Sequence, residues 1–112
     1  MKTAKIIENL TYGDKPAISV LFETENTKEV RILMREGQEM KEHKTSYPIT
    51  VEIFEGEIDF GVNGEQYIIN RGDILSLEGG VPHNLKALKD SIVRLSLSKS
   101  DQVNRVIKVA KQ

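Results

Sequence analysis

Two histidines, His43 and His83, are the residues in this sequence best suited to chemistry. Imidazole titrates near neutral pH, ligates metals and works as a general acid or base. His43 follows Gly37 by six residues and precedes an apolar stretch; His83 closes Gly79-Gly80-Val81-Pro82. If both stand at the mouth of one barrel they converge on a single cavity; the plain alternative is two unrelated surface histidines. Cysteine is absent, which removes disulfides, thiolate metal sites and cysteine nucleophiles. No Ser-His-Asp order, P-loop or dinucleotide glycine pattern is present, and Gly79-Gly80 stands too isolated to suggest phosphate binding. Tyr47 could offer a phenol to a ligand or merely sit at a rim. Arg31 and Arg94 lie within strand-like stretches, where an inward guanidinium could hold a ligand carboxylate and an outward one would be solvated.

These residues need elements to hold them, and the chain supplies short strands. Ile18, Val20 and Phe22 alternate with polar or second-face residues, as do Val30, Ile32 and Met34. Ile49, Val51 and Ile53 share one face, with Thr50, Glu52 and Phe54 on the other. Ile58, Phe60 and Val62 follow, and Asn63-Gly64 is a strong hairpin signal. Return strands are expected over 65–69, 74–77 and 91–98. Strands this short and regular indicate an all-β sandwich or barrel. Near the end the period changes: Val103, Val106, Ile107 and Ala110 mark one face of a short C-terminal helix over about 100–111, with Ser100 as its cap.

Length and charge bound the rest. A chain of 112 residues is one domain, 1–112, large enough to bury about two-thirds of its unfolded surface. Sixteen basic and seventeen acidic residues leave a net charge of −1, which argues against nucleic acid as a partner. No apolar run is long enough to span a membrane, and the first residues lack the apolar core of a signal peptide. A cytoplasmic location is therefore expected.

Two stretches resemble the paired motifs of the cupin superfamily. Gly37-Gln38-Glu39-Met40-Lys41-Glu42-His43, followed by Glu55-Gly56, is similar to the first motif. Gly72 through Pro82-His83 is similar to the second. The resemblance runs from about residue 30 to 97. It implies a small double-stranded β-helix, a jelly-roll-like barrel, with Ile49, Val51, Ile53 and Ile74 in its wall. In metal-binding cupins the motifs supply three histidines and a glutamate. Here His43 and His83 remain, but Thr45 stands at the second histidine and Ile49 at the glutamate. Glu78 replaces a usual proline. The resemblance thus implies weak binding of a divalent metal (Zn, Ni, Fe or Mn) at His43 and His83, unless Glu39, Glu42 or Glu78 completes the set; Glu52 is out of phase to do so. Three functions follow as expectations. The first is a module binding a small molecule through His43, His83, Thr45 and Tyr47. The alternatives are a metal-dependent oxygenase or isomerase, and a metal-free acid–base enzyme. A homodimer is also expected, packed through an outer face bearing Phe54, Leu21 or Leu33.

Overall fold

The computed structural model describes residues 1–99 and 109–111. Nine strands form two antiparallel sheets. In chain order they are β1 (Ala17–Glu23), β2 (Thr27–Met34), β3 (Glu39–His43), β4 (Ile49–Glu55), β5 (Glu57–Val62), β6 (Glu65–Asn70), β7 (Ile74–Leu77), β8 (His83–Ala87) and β9 (Ser91–Ser98). One sheet has the order β1-β2-β9-β4-β7 and the other β3-β8-β5-β6. Consecutive strands switch sheets at β2–β3, β3–β4, β4–β5, β6–β7, β7–β8 and β8–β9, so the sheets are wound together as in a jelly roll.

Side-chain alternation builds the core. Val30 and Ile32 pair with Leu95 and Val93, which pair in turn with Val51 and Ile53, and Met34, Leu97 and Ile49 extend this inner face of the five-stranded sheet. Met40, Ile58, Phe60, Leu85 and Ala87 close over them from the other sheet. At β7 the register places Ile74 opposite Glu52 and Leu75 opposite Val51. Ile74 is therefore an outer-face residue, 67% exposed, and not part of the wall; Leu75 and Leu77 take that place. Both neighbours in the sequence are apolar, and only the pairing register tells them apart.

Bulges change other faces. In β1 an irregularity after Val20 pairs Phe22 with Glu29, so Phe22 leaves the face of Ile18 and Val20. Leu33, expected on an open outer face, is buried. It shares that face with Arg31, which is only 7% exposed because the N-terminal segment crosses it. The Arg31 guanidinium donates to the carbonyls of Ile6 (2.9 Å), Glu8 (2.7 Å) and Asn9 (3.2 Å). Arg31 thus neither faces the cavity nor is solvated; it is a clamp. Gln38 Nε2 donates to the Gly13 carbonyl, and Arg35 lies over the Tyr12 ring, fastening the same segment further along. Phe54 is half-buried and outside the core cluster, in the irregularity between Ile53 and Glu55.

The helix expected over 100–111 falls mainly outside the described residues. Within them, Val109 and Ala110 are buried and join the core cluster. No helix among the described residues is long and apolar enough to cross a membrane.

Candidate functional site

β3 and β8 carry the two histidines, and neither strand is evident from the sequence pattern. Glu-Met-Lys-Glu-His and His-Asn-Leu-Lys-Ala offer one or two large apolar residues each, too few for a clear period. Their pairing contains the decisive irregularity. Met40 sits opposite Leu85 and His43 opposite His83, so three steps along β3 match two along β8. The extra residue is a bulge. Residues three apart on a regular strand face opposite ways; the bulge returns His43 to the inward face of Met40. On β8, His83, Leu85 and Ala87 face inward by simple alternation.

A second contact draws the two motifs together. A Cβ on Gly79 would stand 2.5 Å from the Ser46 carbonyl oxygen, so only glycine allows this approach. Next to it the Gly80 amide donates to the Thr45 carbonyl at 2.7 Å. The loop before His83 is thereby docked on the loop after His43.

The two imidazole centroids lie 4.3 Å apart with their planes at 59°. His83 is 3% exposed and stacks on Phe60, centroids 5.9 Å apart and planes within 5°. His43 is half-buried. Each ring places Nδ1 against a carbonyl two residues back: Lys41 at 2.7 Å for His43 and Val81 at 2.9 Å for His83. A carbonyl only accepts, so Nδ1 carries the proton and Nε2 is the lone-pair nitrogen in each neutral ring. Burial holds the His83 pKa below its usual 6.5, against the opposing pull of the Val81 hydrogen bond.

These rings border a cavity of about 30 Å³, room for little more than a water molecule or a small ion. All four positions singled out by the paired motifs line it: His43, Thr45, Ile49 and His83. Its other walls are apolar, from Ile32, Met40, Val51, Phe60, Leu85, Val93, Leu95 and Leu97. Thr45 is buried, and its hydroxyl donates to the Tyr47 carbonyl at 2.6 Å. The Tyr47 side chain is 41% exposed and does not border the cavity; only its backbone supports the site. Arg94 is also outside. It faces outward, bonded to Glu29 at 3.1 Å and near Glu52 at 3.9 Å.

The donor set does not fit a metal centre that holds its ion by itself. Such sites use three or four protein ligands, and here the cavity supplies two imidazoles, a hydroxyl and a hydrocarbon. Among the described residues no three His, Asp or Glu side chains are grouped to hold a metal. Glu39 and Glu42 border a groove on the outer face of the four-stranded sheet, Glu52 faces Arg94, and Glu78 is exposed.

Comparison with known proteins agrees with this geometry. The pattern of the cupin domain matches residues 30–98. An RmlC-like cupin protein from Desulfovibrio desulfuricans is 25% identical, with a TM-score of 0.80 over 88% of this chain and 96% of that one. The TT1209 protein of Thermus thermophilus is 19% identical, with a TM-score of 0.77 over 88% and 98%. KdgF from a Halomonas species is 19% identical, with a TM-score of 0.67 over 72% and 76%. No curated protein matches the chain. With the family pattern covering both histidine motifs and the sheets wound as those motifs require, the chain belongs to the cupin domain family.

Proposed function

We propose that this cupin is a binding module that receives a small ligand, or the small polar end of a larger one, at His43 and His83. The observation that carries this reading is the convergence of His43, Thr45, Ile49 and His83 on one cavity with no carboxylate among the described residues of its lining. The lone-pair nitrogen of His83, buried against hydrocarbon, accepts a hydrogen bond strongly because little water competes for it, and His43 borders the same cavity. Thr45 adds a hydroxyl whose proton is committed to the Tyr47 carbonyl, leaving its oxygen as a further acceptor. The site therefore favours a ligand that donates hydrogen bonds and has few atoms at the buried end.

The same lone pairs favour transient occupation by a divalent ion. Two imidazoles hold such an ion weakly, and the isoleucine at the carboxylate position offers nothing to close the shell. For this reason the binding reading stands ahead of a metal-dependent oxygenase or isomerase. Zinc titration followed through the histidine ring signals, with elemental analysis after dialysis of untagged protein, tests the choice. The expected result is well under one metal ion per chain, with both rings shifting together on zinc addition. Stoichiometric Fe, Mn or Zn surviving dialysis would overturn it.

A further inference from the structure

We propose a second binding site, on the outer face of the four-stranded sheet, for a neutral polyhydroxyl ligand such as a sugar ring or another vicinal diol. The site opens on the other side of the sheet from the barrel cavity, although β3, β5 and β8 form walls of both.

The register writes out its floor. Glu39, Lys86 and Asp59 lie side by side across β3, β8 and β5. Two residues further along, on the same face, Asn84, Gly61 and Gln66 lie side by side across β8, β5 and β6. Neighbouring strands are about 4.8 Å apart and the two rows about 7 Å apart, so the groups occupy a patch the size of one sugar ring. A groove of about 300 Å³ stands over them, within the range of small-molecule sites.

Gly61 is the key to the arrangement. A Cβ there would collide with Asn84 Oδ1 and lie 2.9 Å from Gln66 Oε1. The two carboxamides thus lean toward each other over a bare backbone. A glycine inside a strand weakens it, and close approach of other groups is a recurring reason for one. Beside them Asp59 Oδ1 is buried without a hydrogen-bond partner, the one carboxylate oxygen so placed among the described residues. A stranded acceptor is a standing cost that an arriving donor relieves.

The charge pattern selects the ligand class. A cation would meet Lys41 and Lys86, and an anion would meet Glu39, Glu42 and Asp59, within the one groove. A hydroxyl both donates and accepts, so it suits a row of alternating sign beside a pair of carboxamides. Vicinal hydroxyls match the planar two-pronged ends of Asp, Asn and Gln for the same reason.

Amide spectra of the full chain, titrated with glucose, maltose and myo-inositol, test the proposal, with spermine and citrate as charged comparators. A neutral polyol is expected to give saturable shifts at Asp59, Gly61, Gln66, Asn84 and Lys86, with a Kd of about 1 mM or tighter. Asn84→Ala is expected to weaken that binding about tenfold, the equivalent of one net hydrogen bond. Thr50→Ala, on the outer face of the other sheet, is expected to leave it unchanged. Gly61→Ala should weaken binding further by displacing both carboxamides; because it strains the strand, Asn84→Ala remains the deciding variant. Shifts confined to the barrel lining, saturation by spermine or citrate alone, no saturation with any polyol in that range, or full affinity in Asn84→Ala would each overturn the proposal.

Discussion

His83 and Arg94 both sit in strands among apolar neighbours, on opposite sides of this barrel, and their surroundings differ in kind. His83 faces inward, onto Phe60 and His43, with no Asp, Glu, Lys or Arg among the described residues lining the cavity. Arg94 faces outward, directly opposite Arg31 in the register, and is held by Glu29 and Glu52. Glu29 is further bonded by Ser96 at 2.8 Å. Arg31 meets three backbone carbonyls instead of a carboxylate. The outer face of the five-stranded sheet therefore keeps both charges and gives each guanidinium partners, although Arg31 Nε and Arg94 Nη1 are buried without one. At the inner end burial disfavours the charged form of His83. A neutralised network fastens segments of the chain; a buried imidazole such as His83, whose charged form is disfavoured, remains able to respond to something that enters.

The largest effect should come from breaking the outer face. Arg31→Met leaves the Ile6, Glu8 and Asn9 carbonyls without their charged donor and is expected to cost about 3 kcal/mol. Urea unfolding measures it, and limited proteolysis should then cut within the first sixteen residues. An unchanged midpoint with an intact N-terminus would show that Gln38 and the Arg35–Tyr12 contact suffice, and the contrast with the inner end would lose its force.

Converting the inner end is the next test. Thr45→His with Ile49→Glu adds two donors at positions that already border the cavity. Zinc affinity should rise on the order of a hundredfold or more, since even outer-shell partners of a metal carry ten- to hundredfold. The introduced carboxylate is buried, so the apo form should be less stable than the native chain and regain stability on zinc addition. No gain in affinity would mean that these positions do not point at a common centre.

Acid separates the two regions by sign and window. The His83 pKa is lowered in the folded chain, so as pH falls through about 6.5 the unfolded chain takes up the proton first and stability drops, by up to about 1.4 kcal/mol per pH unit. His83→Asn should flatten that slope while keeping a donor for the Val81 carbonyl. For Glu29, burial alone would raise the pKa, but hydrogen bonds from Thr27, Ser96 and Arg94 outweigh it and hold the carboxyl below its ordinary value. Its contribution is present at neutral pH and is lost only as pH falls through that lowered value. Glu29→Gln should cost about 1 kcal/mol at neutral pH and flatten the more acidic limb alone. Thermal melts across pH check both; a single merged limb unaffected by either variant would count against the distinction.

The smallest effect is expected at Tyr47. Its phenol is exposed, and it is its backbone carbonyl that holds Thr45. Tyr47→Ala should change stability by no more than about 0.5 kcal/mol and leave the zinc-induced histidine shifts unaltered.

The class of fold and the candidate positions His43, Thr45 and His83 were legible in the chain alone. Strict alternation in 49–53, 58–62 and 93–97 marks strands with two unlike faces because a period of two admits only extended chain. The glycine and proline spacing around His43 and His83 carries the family likeness because turns demand particular backbone angles, and those demands are local. Tertiary structure decided the rest, wherever pairing with a distant strand sets a face. Ile74 and Leu75 are indistinguishable until the register with β4 turns one outward. His43 faces inward only because a bulge in β3 shifts its phase against β8. Arg31 reads as an exposed or ligand-facing charge, and becomes a clamp because a segment more than twenty residues earlier folds across it. A side chain's neighbours across a sheet are set by contacts between residues far apart in the chain, and no local pattern records them.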